Sequence, residues 1–296
     1  MNLTYISQIS SRIKQHMTIR TNRVTSQILD GSYRSVYKGR SMNFDELREY
    51  VAGDDIKDID WKASARSQKL LVKQYVAEKK HNIMLVFDTN HRMLAHTGSL
   101  QEKWKVGLFS AGTLAYLTNK NGDYTGAIFS TTQSMAYFPF KTGHFHLEQI
   151  LEQYEACVTT ENTSSMNTAL DYIVRNFRRQ MILVLVTDTQ GILDLPDSTL
   201  KQLLVMNDVL LLHIGDAELS SQNSSFSTVY NMEKESYFPS FFAKDKKLAE
   251  LEKNKRDRLY QQCTDKLKRY GIASVTIHQA EQVDEIILSL LNKKAY

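Results

Sequence analysis

At 296 residues the chain is about two domain-lengths, on a prior of roughly 150 residues per domain. A hydrophobic fraction of 42% and an aromatic fraction of 10% suffice for a substantial core, and 3 prolines and 12 glycines are too few for a disordered or low-complexity chain. The balance of 37 basic and 33 acidic residues, net +4, excludes a strongly charged nucleic-acid-binding surface.

The densest basic stretch, Lys244 to Arg258, is interrupted by Asp245, Glu250, Glu252 and Asp257, and reads as a solvated helix face. Cys157 and Cys263 lie far apart without a CxxC or Cys/His cluster. They read as buried free thiols of a reducing compartment and not as zinc ligands. The N-terminal residues lack a signal-peptide apolar region, and no window approaches the roughly 20 apolar residues of a membrane helix. The expected location is the cytoplasm, with no direct membrane insertion.

In chain order, Ile6, Ile9, Ile13 and Met17 recur at helical spacing. They predict an amphipathic helix over 3–18, within an N-terminal segment 1–30, that docks on the body of the protein. Residues 31–80 are polar, charged and Tyr-rich with short apolar runs, and predict a small β-rich unit of strands and turns. The third segment, 81–296, begins with Asn82-Ile83-Met84-Leu85-Val86-Phe87-Asp88, a continuous apolar run of the kind found in strands buried on both faces. A helix over 99–119 follows. Two strands, Tyr124 to Phe129 and Ser134 to Phe140, flank a short turn, and helices are expected at His144 to Ala156 and Asn167 to Phe177.

The alternation then resumes with a buried strand, Met181 to Asp188, a helix at Ser198 to Met206 and a strand from Asp208 to Gly215. Residues 216–250 read as an irregular excursion. A helix at Asn254 to Tyr270, a strand at Ile272 to Ile277 and a last helix at Glu281 to Leu291 close the chain. Such alternation argues for an α/β fold with a doubly wound, mainly parallel sheet. Ligands of such sheets bind at the carboxyl ends of strands near the reversal of strand order, which is where Asp88 and Asp188 fall.

The loops Asp88-Thr89-Asn90-His91-Arg92 and Asp188-Thr189-Gln190-Gly191 resemble the von Willebrand factor A fold. Its metal-ion-dependent adhesion site takes an Asp-x-Ser-x-Ser loop, a Thr and a further Asp. The resemblance puts Asp88 and Asp188 at the two acids, Asn90 at the first Ser and Ser164 at the Thr. Mg²⁺ would be the fitting ion, since a hard cation prefers oxygen ligands. Arg92 stands at the second Ser, where its guanidinium could take the metal's place and pair with Asp88 or Asp188. Acids at strand ends also commonly cap a following helix.

The most specific stretch runs from Gly39 to Tyr75, with Asn43-Phe44, Leu47-Arg48, Tyr50, Gly53-Asp54, Lys57, Ile59-Asp60-Trp61-Lys62 and Ser64-Ala65-Arg66, then Leu70 to Tyr75. It resembles the signature of the family catalogued as domain of unknown function 58, roughly G-x-x-x-[EDN]-F-x-x-L-R-x-Y-x-x-G-D-x-x-[RK]-x-I-D-W-[KR]-x-[ST]-A-R. The resemblance implies a von Willebrand factor A-like domain behind a small β unit. It also implies a non-enzymatic adaptor acting with a MoxR-type AAA+ ATPase, and other von Willebrand factor A proteins, in chaperone-like assembly or maturation of a client. Partner contact would involve Asp88, Arg92, Asp188, Trp61 and Arg66.

Read without the family, the interleaved charges around Trp61 suggest an ion-pair network locking the β unit against the main domain, with Trp61 as its apolar anchor. The alternative is a metal-dependent phosphoester hydrolase using the Asp54, Asp55, Asp58 and Asp60 cluster. Other chemistries lack their motifs. There is no GxxxxGK[ST], no GxGxxG after a strand and no GxSxG elbow. His91, His96, His144 and His146 have no nucleophile or carboxylate cluster in frame with them.

Overall fold

The computed structural model describes residues 4–19, 43–76, 80–120, 122–217, 228–231, 236–239, 246–283 and 286–287. The chain forms two compact units, Ser26–Lys80 and the larger Met1–Thr25 with His81–Tyr296.

In the smaller unit β1 (Asn43–Glu49) pairs antiparallel with β2 (Leu71–Val76). Between them Gly53 turns the chain at a φ of +113°, which an L side chain rarely adopts. A 3-10 turn (Ile56–Asp58) and a short helix, α2 (Trp61–Ser67), follow. The helix corrects the expectation of strands and turns alone. Asp60 nucleates it by accepting from the Lys62 and Ala63 amides at 3.1 and 3.0 Å. Ser64 faces inward, and its Oγ accepts from the Leu71 amide at 2.9 Å, tying helix to strand. Two turns of helix are too short for hydrophobic periodicity to register.

The larger unit is built on a six-stranded sheet. Its strands are β3 (Asn82–Phe87), β4 (Tyr124–Ser130), β5 (Met135–Lys141), β6 (Ile182–Asp188), β7 (Asp208–Ile214) and β10 (Ala273–Ile277). They lie in the order β5-β4-β3-β6-β7-β10, with every neighbouring pair parallel except β4 and β5. This is the doubly wound, mainly parallel sheet expected of a von Willebrand factor A-like domain. A separate hairpin, β8 (Thr228–Asn231) with β9 (Ser236–Pro239), lies in the stretch read as irregular.

Successive side chains of a strand point to opposite faces, so each central strand feeds two cores. Met84 and Val86 of β3, with Leu183 and Leu185 of β6, pack against α5 (Met166–Asn176), α7 (Asp197–Met206) and α8 (Lys246–Arg269). On the other face Phe87 stacks on Tyr154 of α4 (His144–Cys157) at 4.2 Å between centroids, beside α3 (Lys103–Lys120). Residues 83–87 are wholly buried, as a continuous apolar run in a central parallel strand should be.

Several boundaries differ from the sequence reading. Helix α3 starts at Lys103, because Leu100 sits at a φ of +61° that no helix accommodates. Helix α8 starts at Lys246. A short helix not anticipated, α6 (Thr189–Asp194), begins directly at the end of β6, with the Asp188 carboxylate as its cap. Of the last helix, residues 280–282 form a 3-10 turn, and most of 284–291 lies outside the described residues.

Helix α1 (Thr4–Ile19) docks on this unit through Ile6, Ile9 and Ile13, all buried. Its first turn is held by the fully buried carboxylate of Glu148 in α4, which accepts from the Tyr5 and Ile6 amides at 2.7 and 2.8 Å. An acid at a helix N-terminus satisfies amides that have no partner within the helix. Gly112 of α3 lets the helices close up, since a Cβ there would lie 2.7 Å from Ile9 Cδ1. Among the described residues no helix is long and apolar enough to cross a membrane.

Candidate functional site

The order of the sheet reverses between β3 and β6, whose following connections run toward opposite edges. A crevice at the carboxyl ends forms there in doubly wound sheets, and this one holds Asp88, just past β3, and Asp188, the last residue of β6.

Asp88 is buried, and its two oxygens are already hydrogen-bonded. Oδ1 accepts from the Asn90 amide at 3.0 Å and Oδ2 from the Thr187 hydroxyl at 2.6 Å. Burial pushes its carboxyl above the usual range, with the Asp188 charge adding to that rise. Gly191 makes the approach possible, because a Cβ there would collide with Thr187 Oγ1 and stand 2.8 Å from Asp88 Oδ2.

Asp188 accepts from the Gly191 amide at Oδ1 (2.9 Å) and from Lys103 Nζ at Oδ2 (2.9 Å). Burial would raise its pKa, but the charges of Lys103 and Arg92 outweigh burial and hold the carboxyl at about 2. Lys103 is itself buried, and burial alone would depress it. Its ion pairs with Asp188 and with Asp216, two residues beyond β7, prevail and keep it above the ordinary lysine range.

Arg92 sits on a 3-10 turn, His91–Leu94, capped by Asn90, whose Oδ1 accepts from the Arg92 amide at 3.1 Å. Its guanidinium faces three acids: Asp88 at 3.6 Å, Asp188 at 3.7 Å and Asp194 at 3.6 Å. These are ion pairs without hydrogen-bond contact. The Arg92 side chain is 16% exposed and that of Asp194 is 42% exposed, so both reach solvent. A shallow cleft of about 240 Å³ is lined by His91, Arg92, Gln190 and Asp194.

Behind these groups a polar chain runs from the buried Thr189 and His213 out to the surface at α8. The Thr189 hydroxyl donates to Asp216 Oδ2 at 2.5 Å and therefore accepts from His213 Nε2 at 3.0 Å. His213 Nδ1 then accepts from Thr276 Oγ1 at 3.2 Å, and Tyr260 closes the chain at 2.9 Å. This order of donors assigns the Nε2–H tautomer to His213. Burial lowers its pKa to about 4, which keeps the imidazole neutral near pH 7. Cys263 donates to the Thr189 carbonyl at 3.3 Å. Burial raises its thiol to about 12, so it carries no reactive thiolate. Both cysteines are free and buried.

The residues expected to ligate a metal do not fit one. Asn90 uses its carbonyl on the Arg92 amide and its amide on the Ser164 carbonyl, 3.1 Å away. Ser164 donates its hydroxyl to the Ser130 carbonyl at 2.5 Å. The positive charge beside the two acids comes from Arg92 and Lys103. Among the described residues, no group of three or more His, Cys, Asp or Glu side chains is placed to hold a metal ion.

Asp88, Arg92 and Asp188 thus converge, whereas Trp61 and Arg66 belong to the smaller unit. Trp61 is 63% exposed, and the buried apolar residues described in that unit are Ile59 and Val72. Within its own unit, then, Trp61 is not a buried residue. The ion pairs described there are Arg48–Asp54, bidentate at 2.7 and 2.6 Å, Lys73–Asp60 at 3.6 Å, and Lys69–Glu49. Three of the four acids proposed for hydrolysis are committed locally. Asp54 also accepts from the Val51 amide, Asp55 from the Lys57 amide, and Asp60 caps α2.

Sequence reasoning missed Lys103, Asp216, Thr187, Thr189 and His213. Asp216 carried a signal, as a third acid just past an apolar strand. Lys103 carried none, because a lysine in a first helical turn reads as solvated.

The chain is 25% identical over 166 residues to Uncharacterized protein Rv1480 of Mycobacterium tuberculosis and to Uncharacterized protein Mb1516 of Mycobacterium bovis. The match takes in 55% of this chain and 52% of each relative, so the chain spans about half the length of the curated relatives it matches. Among solved structures it is similar to the conserved hypothetical protein BatB from Bacteroides thetaiotaomicron (TM-score 0.47, 13% identity, 73% of this chain and 98% of that one). It is also similar to a von Willebrand factor type A protein from Catenulispora acidiphila (TM-score 0.41, 9% identity, 76% and 44%). Residues 46–221, more than half of the chain, match the family described as "Protein of unknown function DUF58", and the chain belongs to that family.

Proposed function

We propose that this chain is a non-enzymatic, protein-binding adaptor whose contact surface is the strand-end crevice, a degenerate form of the metal-ion-dependent adhesion site. The observation that carries the reading is the set of groups at the mouth of the crevice. A guanidinium without hydrogen-bond acceptors, a half-exposed carboxylate (Asp194), an amide (Gln190) and an imidazole (His91) line one cleft. Such a set offers donors and acceptors together and suits the polar side chains of a partner protein. The partner we propose, on the family resemblance, is a MoxR-type AAA+ ATPase, alongside other von Willebrand factor A proteins. The setting is chaperone-like assembly or maturation of a client in the cytoplasm.

The test is binding of the purified ATPase from the same organism to the full chain, measured by calorimetry, with Arg92→Glu and Asp194→Lys as variants. Wild-type binding weakened at least about tenfold by either charge reversal, roughly 1.4 kcal/mol, is the expected result. A wild-type chain that ignores the ATPase and hydrolyses phosphodiesters with Mn²⁺, but not after Asp60→Asn, would replace this reading with the hydrolase.

A further inference from the structure

An adhesion site of the metal-dependent kind closes on a divalent cation that ties several loops together through their oxygens. In this chain a side chain stands between two of the strand-end acids. Lys103 reaches in from the first turn of α3 with its ammonium 2.9 Å from Asp188 Oδ2 and in an ion pair with Asp216. We propose that Lys103 is the resident cation of the strand-end site, joining the ends of β6 and β7 as a metal would and keeping divalent ions out.

Four observations converge on this. The ammonium is buried together with Asp188, while Asp216 is only partly exposed, so their attraction is poorly screened by water. A divalent ion beside these carboxylates would meet two fixed cations, Lys103 and the Arg92 guanidinium 3.7 Å from Asp188. The oxygens that could ligate it already accept from or donate to protein groups: Asp88 from Thr187 and Asn90, Asp188 from Gly191 and Lys103, and Thr189 to Asp216. Its acidic neighbours outweigh its burial and hold the Lys103 ammonium above the ordinary lysine range, so it is charged near neutral pH. Removing its ammonium would take away one of these two cations and free Asp188 Oδ2 and Asp216 Oδ1, which with the Thr189 hydroxyl border the vacated space as an oxygen set of the kind Mg²⁺ and Mn²⁺ take.

The experiment is a Mn²⁺ titration of the full chain, followed by electron paramagnetic resonance, with thermal melting in the presence and absence of millimolar Mg²⁺. The wild type and Lys103→Arg should bind no Mn²⁺ specifically and melt at the same temperature with and without Mg²⁺. Lys103→Ala should gain a Mn²⁺ site at least about tenfold tighter than any in the wild type and melt higher with Mg²⁺. Loss of that site in Lys103→Ala/Asp188→Asn would place it at this crevice. Specific Mn²⁺ binding by the wild type that is lost on Asp88→Ala overturns the proposal. So does a folded Lys103→Ala that binds no better than the wild type. Should Lys103→Ala fold only when Mg²⁺ is added, and not with an equal ionic strength of NaCl, the exchange of cations is shown directly. If it does not fold under either condition, the wild-type titration alone decides. None of these readouts depends on the adaptor reading, so the two proposals fail separately.

Discussion

The crevice at the end of the larger unit's sheet and the turn-rich block of the smaller unit use the same residues, aspartates set among lysines and arginines, to opposite effect. In the smaller unit Asp54, Asp55 and Asp60 stand at turns and caps in contact with water, each answering a neighbouring amide or an exposed cation. In the crevice Asp88 and Asp188 are buried and meet cations largely withdrawn from water, Arg92 from the same loop as Asp88 and Lys103 from a distant helix. The charges match in kind, so the difference lies in solvation. An exposed pair exchanges one set of hydrogen bonds for another and gains little. A buried group left without its partner costs several kcal/mol. Sequence-local charge patterns describe the first region, while the second exists only once the sheet has formed.

The largest effect that would break this contrast lies at Asp188. Asp188→Asn keeps the shape but removes the charge facing Lys103 and Arg92, and should destabilise the larger unit by about 3 kcal/mol in urea denaturation. A loss below about 1 kcal/mol would put the crevice on the same footing as a surface pair.

The next effect is a pH dependence. His213 is held at about 4, below its unfolded value of roughly 6.5. Its contribution is therefore fully present above pH 6.5 or so and is lost as pH falls toward 4, on the order of 3 kcal/mol in total. His213→Gln can still donate to Thr189 and should lack that loss between those pH values. Asp88, raised by burial, works in the opposite sense but is common to both proteins, so their difference isolates His213. The Asp188 contribution falls away in a lower window, from about pH 4 down to its folded value of about 2. Parallel stability curves for wild type and variant would contradict the assignment of a neutral, buried imidazole.

A smaller and more local change is expected at Glu148. Glu148→Ala deprives the Tyr5 and Ile6 amides of their acceptor, at a cost of about 1–3 kcal/mol. It should speed hydrogen exchange at the start of α1 while leaving β3 and β6 protected. The smallest effect belongs to Asp54→Asn, whose partner Arg48 is exposed. The midpoint of thermal unfolding should barely move. A large drop there would mean that the block of charges in the smaller unit is an integral support, and the contrast between the regions would fail.

Much of the fold was legible in the residues. The runs Asn82 to Phe87 and Met181 to Asp188 announced central parallel strands, because only a strand covered on both faces is apolar at every position. Ile6, Ile9 and Ile13 announced a docked helix by their spacing. What escaped was short or weakly periodic. Helix α2 hangs on one cap, and α6 hangs on an aspartate that also serves the crevice.

The candidate site divides in the same way. The sequence by itself determined that acids close two central strands, because a run of buried apolar residues must end where polar chemistry begins, and those ends are neighbours in a doubly wound sheet. The resemblance of that first loop to an adhesion-site loop put Arg92 where a ligand would stand. Only the tertiary structure decided what balances the acids. Lys103 lies 85 residues from Asp188 along the chain and in an unrelated element. Its pairing with Asp188 and Asp216 depends on where α3 crosses the sheet, a distance set by packing, including Gly107 against Val186. Burial then turned an ordinary lysine into a fixed internal cation, because a charge removed from water has to stay beside its counter-charge.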